Sequence, residues 1–154
     1  MKTFILFSHG KGSPEGELTL HDRRNIWSTA LQVLQNIGQS DLNKAAFFSS
    51  SSMKAKQTAR IVLTAFGLYS RSSDILPELY SYSELSNTTV NIIKEVMIAV
   101  PSNVVCAFAC NELFQKMAQE LCPREQEYDL APCEAFICRF SDGIGEVSIL
   151  TVSP

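Results

Sequence analysis

The sequence carries no basic excess. Lys and Arg number 13 against 16 Asp and Glu, a net charge of −3, so it lacks the clustered positive charge with which proteins hold nucleic-acid phosphates. No apolar stretch approaches the roughly 18 residues of a membrane span. The apolar run at residues 3–7 follows a single basic residue and soon meets Ser8-His9-Gly10, which is too short for a signal peptide. A cytoplasmic protein is expected, with neither nucleic acid nor membrane among its partners. The five cysteines are an odd number, form no Cys-x-x-Cys pair and have no histidine at zinc-finger spacing, which argues against a disulfide scaffold and a structural zinc site. Free thiols packed as small hydrophobes fit better. Also missing are Gly-x-Gly-x-x-Gly, a P-loop and His-Glu-x-x-His, so no metal, nucleotide or other cofactor is expected.

What is present is an ordinary globular composition, 45% apolar and 19% charged over 154 residues. One domain spanning 1–154 is expected, without repeats or linker, and a domain of that length buries roughly 68–70% of its unfolded surface. Residues 3–7 read as a buried strand that empties into the Gly- and Pro-containing loop 8–14. Ile26, Ala30, Leu31, Val33, Leu34 and Ile37 recur at three- and four-residue steps, predicting a helix over about 20–37 with Thr19 as N-cap and Gly38 as stop. A second apolar run at 45–48 leads through four serines into a helix from Met53 to about Phe66, closed by Gly67. A third helix is expected over about 86–100, ended by Pro101. Then come a buried strand at 104–109, a helix over about 112–121, and two terminal strands at 134–140 and 146–152 joined as a hairpin through 141–145. The pattern predicts an α/β fold, a mostly parallel sheet covered by helices on both faces, with ligands outside the carboxyl ends of the strands.

Three segments fall at such strand ends: Ser8-His9-Gly10, Ser50-Ser51-Ser52-Met53-Lys54-Ala55-Lys56-Gln57-Thr58-Ala59, and Ala109-Cys110-Asn111-Glu112. A neutral imidazole at a strand end attacks phosphorus directly when cationic donors surround the equatorial oxygens. His9, Lys54 or Lys56, and the nearby hydroxyls supply part of that set. His21, beside Asp22-Arg23-Arg24 at a helix start, reads as a solvated surface residue. Cys110 is open to two readings, a packed core thiol or a thiolate favoured by the following helix N-terminus. The Cys-x₅-Arg loop of cysteine phosphatases is absent, because position 116 is Lys116.

On these segments the chain resembles the histidine phosphatase superfamily, which is phosphoglycerate mutase-like, and within it the small SixA-type phosphohistidine phosphatases. Ser8-His9-Gly10 is similar to the family's Arg-His-Gly, and the segment from Ser50 to Ala59 to its Ser-Ser-x-x-x-Arg-Ala-x-Gln-Thr-Ala. Ala109-Cys110-Asn111 resembles its Gly-His-Asn turn. Pro132-Cys133-Glu134-Ala135 resembles the Pro-Thr-Gly-Ala that opens the last hairpin, and Leu18-Thr19-Leu20-His21-Asp22 the Leu-Thr-x-x-Gly segment, with Asp22 where glycine is usual. The resemblance spans nearly the whole chain. It implies a three-layer α/β/α sandwich with a C-terminal hairpin. It also implies His9 as nucleophile, phosphate contacts from Ser8, Lys54, Cys110 and Asn111, and Glu78 as proton donor. Motif position favours Lys54 over Lys56. The implied partner is a phosphorylated protein or a small phosphomonoester.

The departures bear on activity. Ser8 offers a hydroxyl where an arginine is implied, Lys54 keeps a charge but loses the planar fork, and Cys110 replaces a histidine. At about 10²–10³ in rate for each missing donor, three such changes are enough to abolish useful turnover. The sequence therefore supports two functions: an impaired phosphatase acting through His9, or a non-catalytic domain that binds a phosphorylated partner in the old pocket.

Overall fold

The computed structural model describes residues 2–80, 87–141 and 147–154. In chain order the elements are β1 (Thr3–Ser8), α1 (Leu20–Ile37), α2 (Gln39–Asn43), β2 (Ala46–Ser49), α3 (Met53–Ala65), β3 (Asp74–Ile75), a 3₁₀ turn (Pro77–Leu79), α4 (Asn87–Ala99), β4 (Val104–Ala109), α5 (Asn111–Leu121), β5 (Ala135–Phe140) and β6 (Val147–Val152). Every residue of β1 and β4 is buried, as uninterrupted apolar runs require of strands covered on both faces.

The six strands lie in the order β3-β2-β4-β1-β5-β6. The first four in that order run parallel, while β5 is antiparallel to β1 and β6 to β5. Alternation along β1 sends Ile5 and Phe7 to one face, where α1 and α3 supply Ile26, Ala30, Val33, Ala59 and Val62. Phe4 and Leu6 go to the other, against Ile93 and Met97 of α4 and Leu113 and Phe114 of α5. Two apolar layers thus sandwich the sheet, and each fully buried Phe or Leu among them contributes about 1.5–3 kcal/mol. The expected three-layer α/β/α architecture, mostly parallel sheet and C-terminal hairpin are all present.

Local chemistry sets the boundaries. Thr19 caps α1 by accepting from the Asp22 amide at 3.1 Å, and Gly38, at φ 94°, ends it. Ser52 caps α3 by accepting from the Ala55 amide at 3.1 Å. Two short elements were not expected. The five residues of α2 and the two of β3 are too few for a periodicity of 3.6 or 2 to register. The start of the third helix at residue 86, most of the hairpin connection, 142–145, and residue 146 at the expected start of the last strand lie outside the described residues. No helix among the described residues is long and apolar enough to cross a membrane.

Candidate active site

The sheet brings three strand ends level. Ser8 of β1 pairs with Ala109 of β4, and Ser49 of β2 with Phe108. The ladder then runs one residue further: the His9 amide donates to Ala109 O at 3.0 Å and the Ser50 amide to Phe108 O at 2.9 Å. His9, Ser50 and Cys110 therefore leave adjacent strands at one rim, where α3 and α5 begin with Ser52 and Cys110 as their N-cap residues. The positive ends of two helices meet the strand ends there, an arrangement that favours an anion.

His9 is held from both sides, by its own amide on Ala109 O and by the Cys133 amide, which donates to His9 O at 3.4 Å. Its Nδ1 lies 2.9 Å from Gly10 O. A carbonyl only accepts, so Nδ1 carries the hydrogen and Nε2 the lone pair. Burial lowers the His9 pKa from its ordinary 6.5, the Gly10 carbonyl opposes that, Lys54 lowers it further and Glu112 opposes. The net result is a ring held neutral, the nucleophilic form.

Lys54 is half-buried while Lys56 is exposed, so the chain resolves which of the two turns inward. A Cβ built on Gly12 would stand 2.5 Å from Lys54 Cε and 3.1 Å from its Cδ. The lysine stem thus crosses the loop that follows His9, over a residue whose φ of 79° also suits glycine. The other residues named from sequence are more constrained. Ser8 is fully buried with its Oγ 3.4 Å from His9 O. Burial pushes the Cys110 thiol up, with the Leu113 amide opposing and the Glu112 carboxylate adding to the rise; of the two readings for Cys110, this environment matches the inert one. Asn111 donates from Nδ2 to Leu130 O at 3.0 Å, fastening the start of α5 to the segment ahead of β5. Glu78 lies in the 3₁₀ turn beyond the edge strand β3, half-buried, its Oε2 without a hydrogen-bond partner among the described residues. His21 is exposed beside Asn25, as expected.

Three further residues shape this region. Gln57 Oε1 accepts from the Leu18 amide at 3.0 Å and so joins α3 to the loop after β1. Glu112, in the first turn of α5, is close enough for its charge to act on both His9 and Cys110. Asp22 is buried, and its Oδ2 accepts from the amides of Gly12 at 2.9 Å and Thr19 at 3.0 Å. The Thr19-x-x-Asp22 spacing was a usable signal, since it matches a reciprocal capping box at the N-terminus of a helix.

No family model and no curated protein matches this sequence. Solved structures do. The protein histidine phosphatase SixA complexed with tungstate superposes with a TM-score of 0.78 at 18% identity, over 99% of this chain and 97% of that one. A phosphoglycerate mutase from Plasmodium falciparum gives 0.69 at 16%, covering 97% and 88%. A phosphoserine phosphatase from Entamoeba histolytica, in complex with phosphoserine, gives 0.67 at 12%, covering 97% and 95%. Over essentially its whole length, this chain has the fold shared by the SixA histidine phosphatase and the phosphoglycerate mutase-like enzymes.

Proposed function

We propose that the chain is a SixA-like member of the histidine phosphatase superfamily and a slow phosphohydrolase that uses His9 as its nucleophile. The observation that carries this reading is the state of His9: a neutral ring at the junction of β1 and β4, with Nδ1 committed to Gly10 O and Lys54 acting on it. In the proposed step the Nε2 lone pair forms a bond to phosphorus while the bond to the leaving oxygen or nitrogen breaks. Lys54 and the amides at the start of α3 meet the charge on the equatorial oxygens. The leaving group takes a proton, and water then cleaves the N–P bond to release phosphate and restore His9.

Two carboxylates compete for the proton-donor role. Glu78 is the one the family resemblance names. Glu112 is the one whose charge acts on the His9 ring. A phosphorylated histidine needs little acid help to leave, since its nitrogen is easily protonated. This favours a phosphohistidine on a protein over a small phosphomonoester for a pocket with so few cations.

The second reading, a domain that binds phosphate without turning it over, is favoured by Cys110 and Ser8. The thiol is held protonated and the hydroxyl lies against the His9 carbonyl. The test is incubation of the purified chain and of His9→Ala with a phosphohistidine protein and with an aryl phosphate, followed by a search for acid-labile phosphate on His9. Turnover or phosphate trapped on His9, both lost in the variant, is the expected result. Saturable binding to both proteins with no phosphate on His9 would establish the second reading instead.

A further inference from the structure

We propose that Asp22 is a positioning residue for His9, its carboxylate fixing the loop whose Gly10 carbonyl holds the imidazole in the nucleophilic tautomer. Asp22 sits in the first turn of α1, and one role there is local: the Thr19 hydroxyl accepts from the Asp22 amide while the Asp22 carboxylate accepts from the Thr19 amide. That exchange needs nothing beyond the helix. The bond from the Gly12 amide to Asp22 Oδ2, 2.9 Å and ten residues back along the chain, is not part of a cap. It reaches the loop that leaves His9.

Contact reinforces the bond. A Cβ on Gly10 would stand 2.9 Å from both Cβ and Cγ of Asp22, so the backbone of Gly10 lies directly on this side chain. Gly10 O in turn receives His9 Nδ1–H. The connection runs from the Asp22 carboxylate, through the backbone of residues 10–12, to the ring. Across the same carboxylate, Asp22 Oδ1 stands 3.9 Å from Cys133 Sγ, and the Cys133 amide bonds His9 O. Asp22 thus touches both the loop that holds the His9 ring and the Cys133 that bonds the His9 carbonyl.

The carboxylate is held charged. Burial alone would raise its pKa, but the amides of Thr19 and Gly12 and the Thr19 hydroxyl bring it below its ordinary 3.8. Bonds from amides to an ionised acceptor are roughly twice as strong as neutral ones, which suits a part that must not yield. The Gly12 amide is thereby committed to an internal anion and holds the geometry of the loop.

This inference rests on the phosphatase reading for its consequence, but the ring can be followed without turnover. In ¹⁵N NMR of the full chain, Nδ1 and Nε2 of His9 should show distinct protonated and unprotonated shifts at neutral pH. In Asp22→Asn, which keeps the side-chain shape but not the charge, the two should move toward a common averaged value. Thr19→Ala is the matched control, because it removes the helix cap and leaves the carboxylate in place. His9 should be unchanged in it although the protein is less stable. If the chain phosphorylates His9, Asp22→Asn should lower the rate by about 10², the cost of misplacing a reacting group by about 1 Å, with KM little altered. Asp22→Ser serves the same purpose should the asparagine variant not fold. Unchanged His9 shifts in the Asp22 variants, or equal changes in these and in Thr19→Ala, would overturn the proposal. Absence of both turnover and phosphate on His9 in the wild-type chain would overturn the phosphatase reading and leave the ring comparison standing.

Discussion

Lys54→Met separates a pocket cation from a surface lysine. Methionine keeps most of the aliphatic stem that crosses Gly12 and removes the ammonium, so packing is retained and charge is lost. Lys54 acts on His9 in the direction that lowers its pKa, and removing it should raise that value, as read by NMR titration of the ring. Loss of one preorganised donor from a transition-state pocket costs about 10²–10³ in rate, or about 2.7–4 kcal/mol. The variant should therefore phosphorylate His9 slower by that factor and bind tungstate, the anion seen in the SixA structure, more weakly. Lys54→Arg keeps the charge, and should retain the direction of the His9 shift and regain a planar fork for phosphate. The reasoning fails if Lys54→Met leaves the His9 titration unmoved and holds both rate and tungstate affinity within about fivefold of wild type, all that a solvated surface charge is worth.

Further outcomes follow from burial and close approach. The folded pKa of His9 lies below 6.5, so the stability gained from burying a neutral ring is present above pH 6.5 and is lost as pH falls through the folded value. The acid limb of the phosphorylation rate, and the NMR midpoint, should lie below 6.5; a midpoint at or above it would contradict the environment described. Cys110, its thiol pushed up by burial, should react with iodoacetamide at pH 7.5 more slowly than a free cysteine peptide, and should match that peptide once the chain is unfolded. Faster reaction in the folded state would restore the thiolate reading. Gly10→Ala places a Cβ 2.6 Å from Leu18 Cδ2 and 2.9 Å from Asp22 Cβ, and should destabilise the chain by about 1–3 kcal/mol in urea unfolding. No change in midpoint would mean that the loop and α1 separate more easily than their contact implies.

The local rules in the sequence were enough for the elements. Apolar runs with no polar alternation gave β1 and β4, three- and four-residue spacing gave α1, and Thr19, Gly38 and the serine run before α3 marked helix ends, because each of these signals acts within one turn or one strand. Short range also explains what was missed, since α2 and β3 hold too few residues to carry a period. His9 and Lys54 could be singled out from sequence because they stand at a strand end and a helix start, and the sheet places those ends at one rim. Motif position favoured Lys54 over Lys56, but the physical reason, a stem that crosses the bare backbone of Gly12 42 residues away, comes only from the fold. Asp22 illustrates the same division. From sequence it was a departure from glycine at a helix start. Only folding lays the backbone of residues 10–12 across it and turns a capping carboxylate into a support for the loop after His9. Glu112 likewise acquires its influence on the ring because β4 pairs with β1 across about a hundred residues of chain. Element type is settled by neighbours in sequence, whereas the charge, tautomer and surroundings of a site are settled by groups that only the sheet brings together.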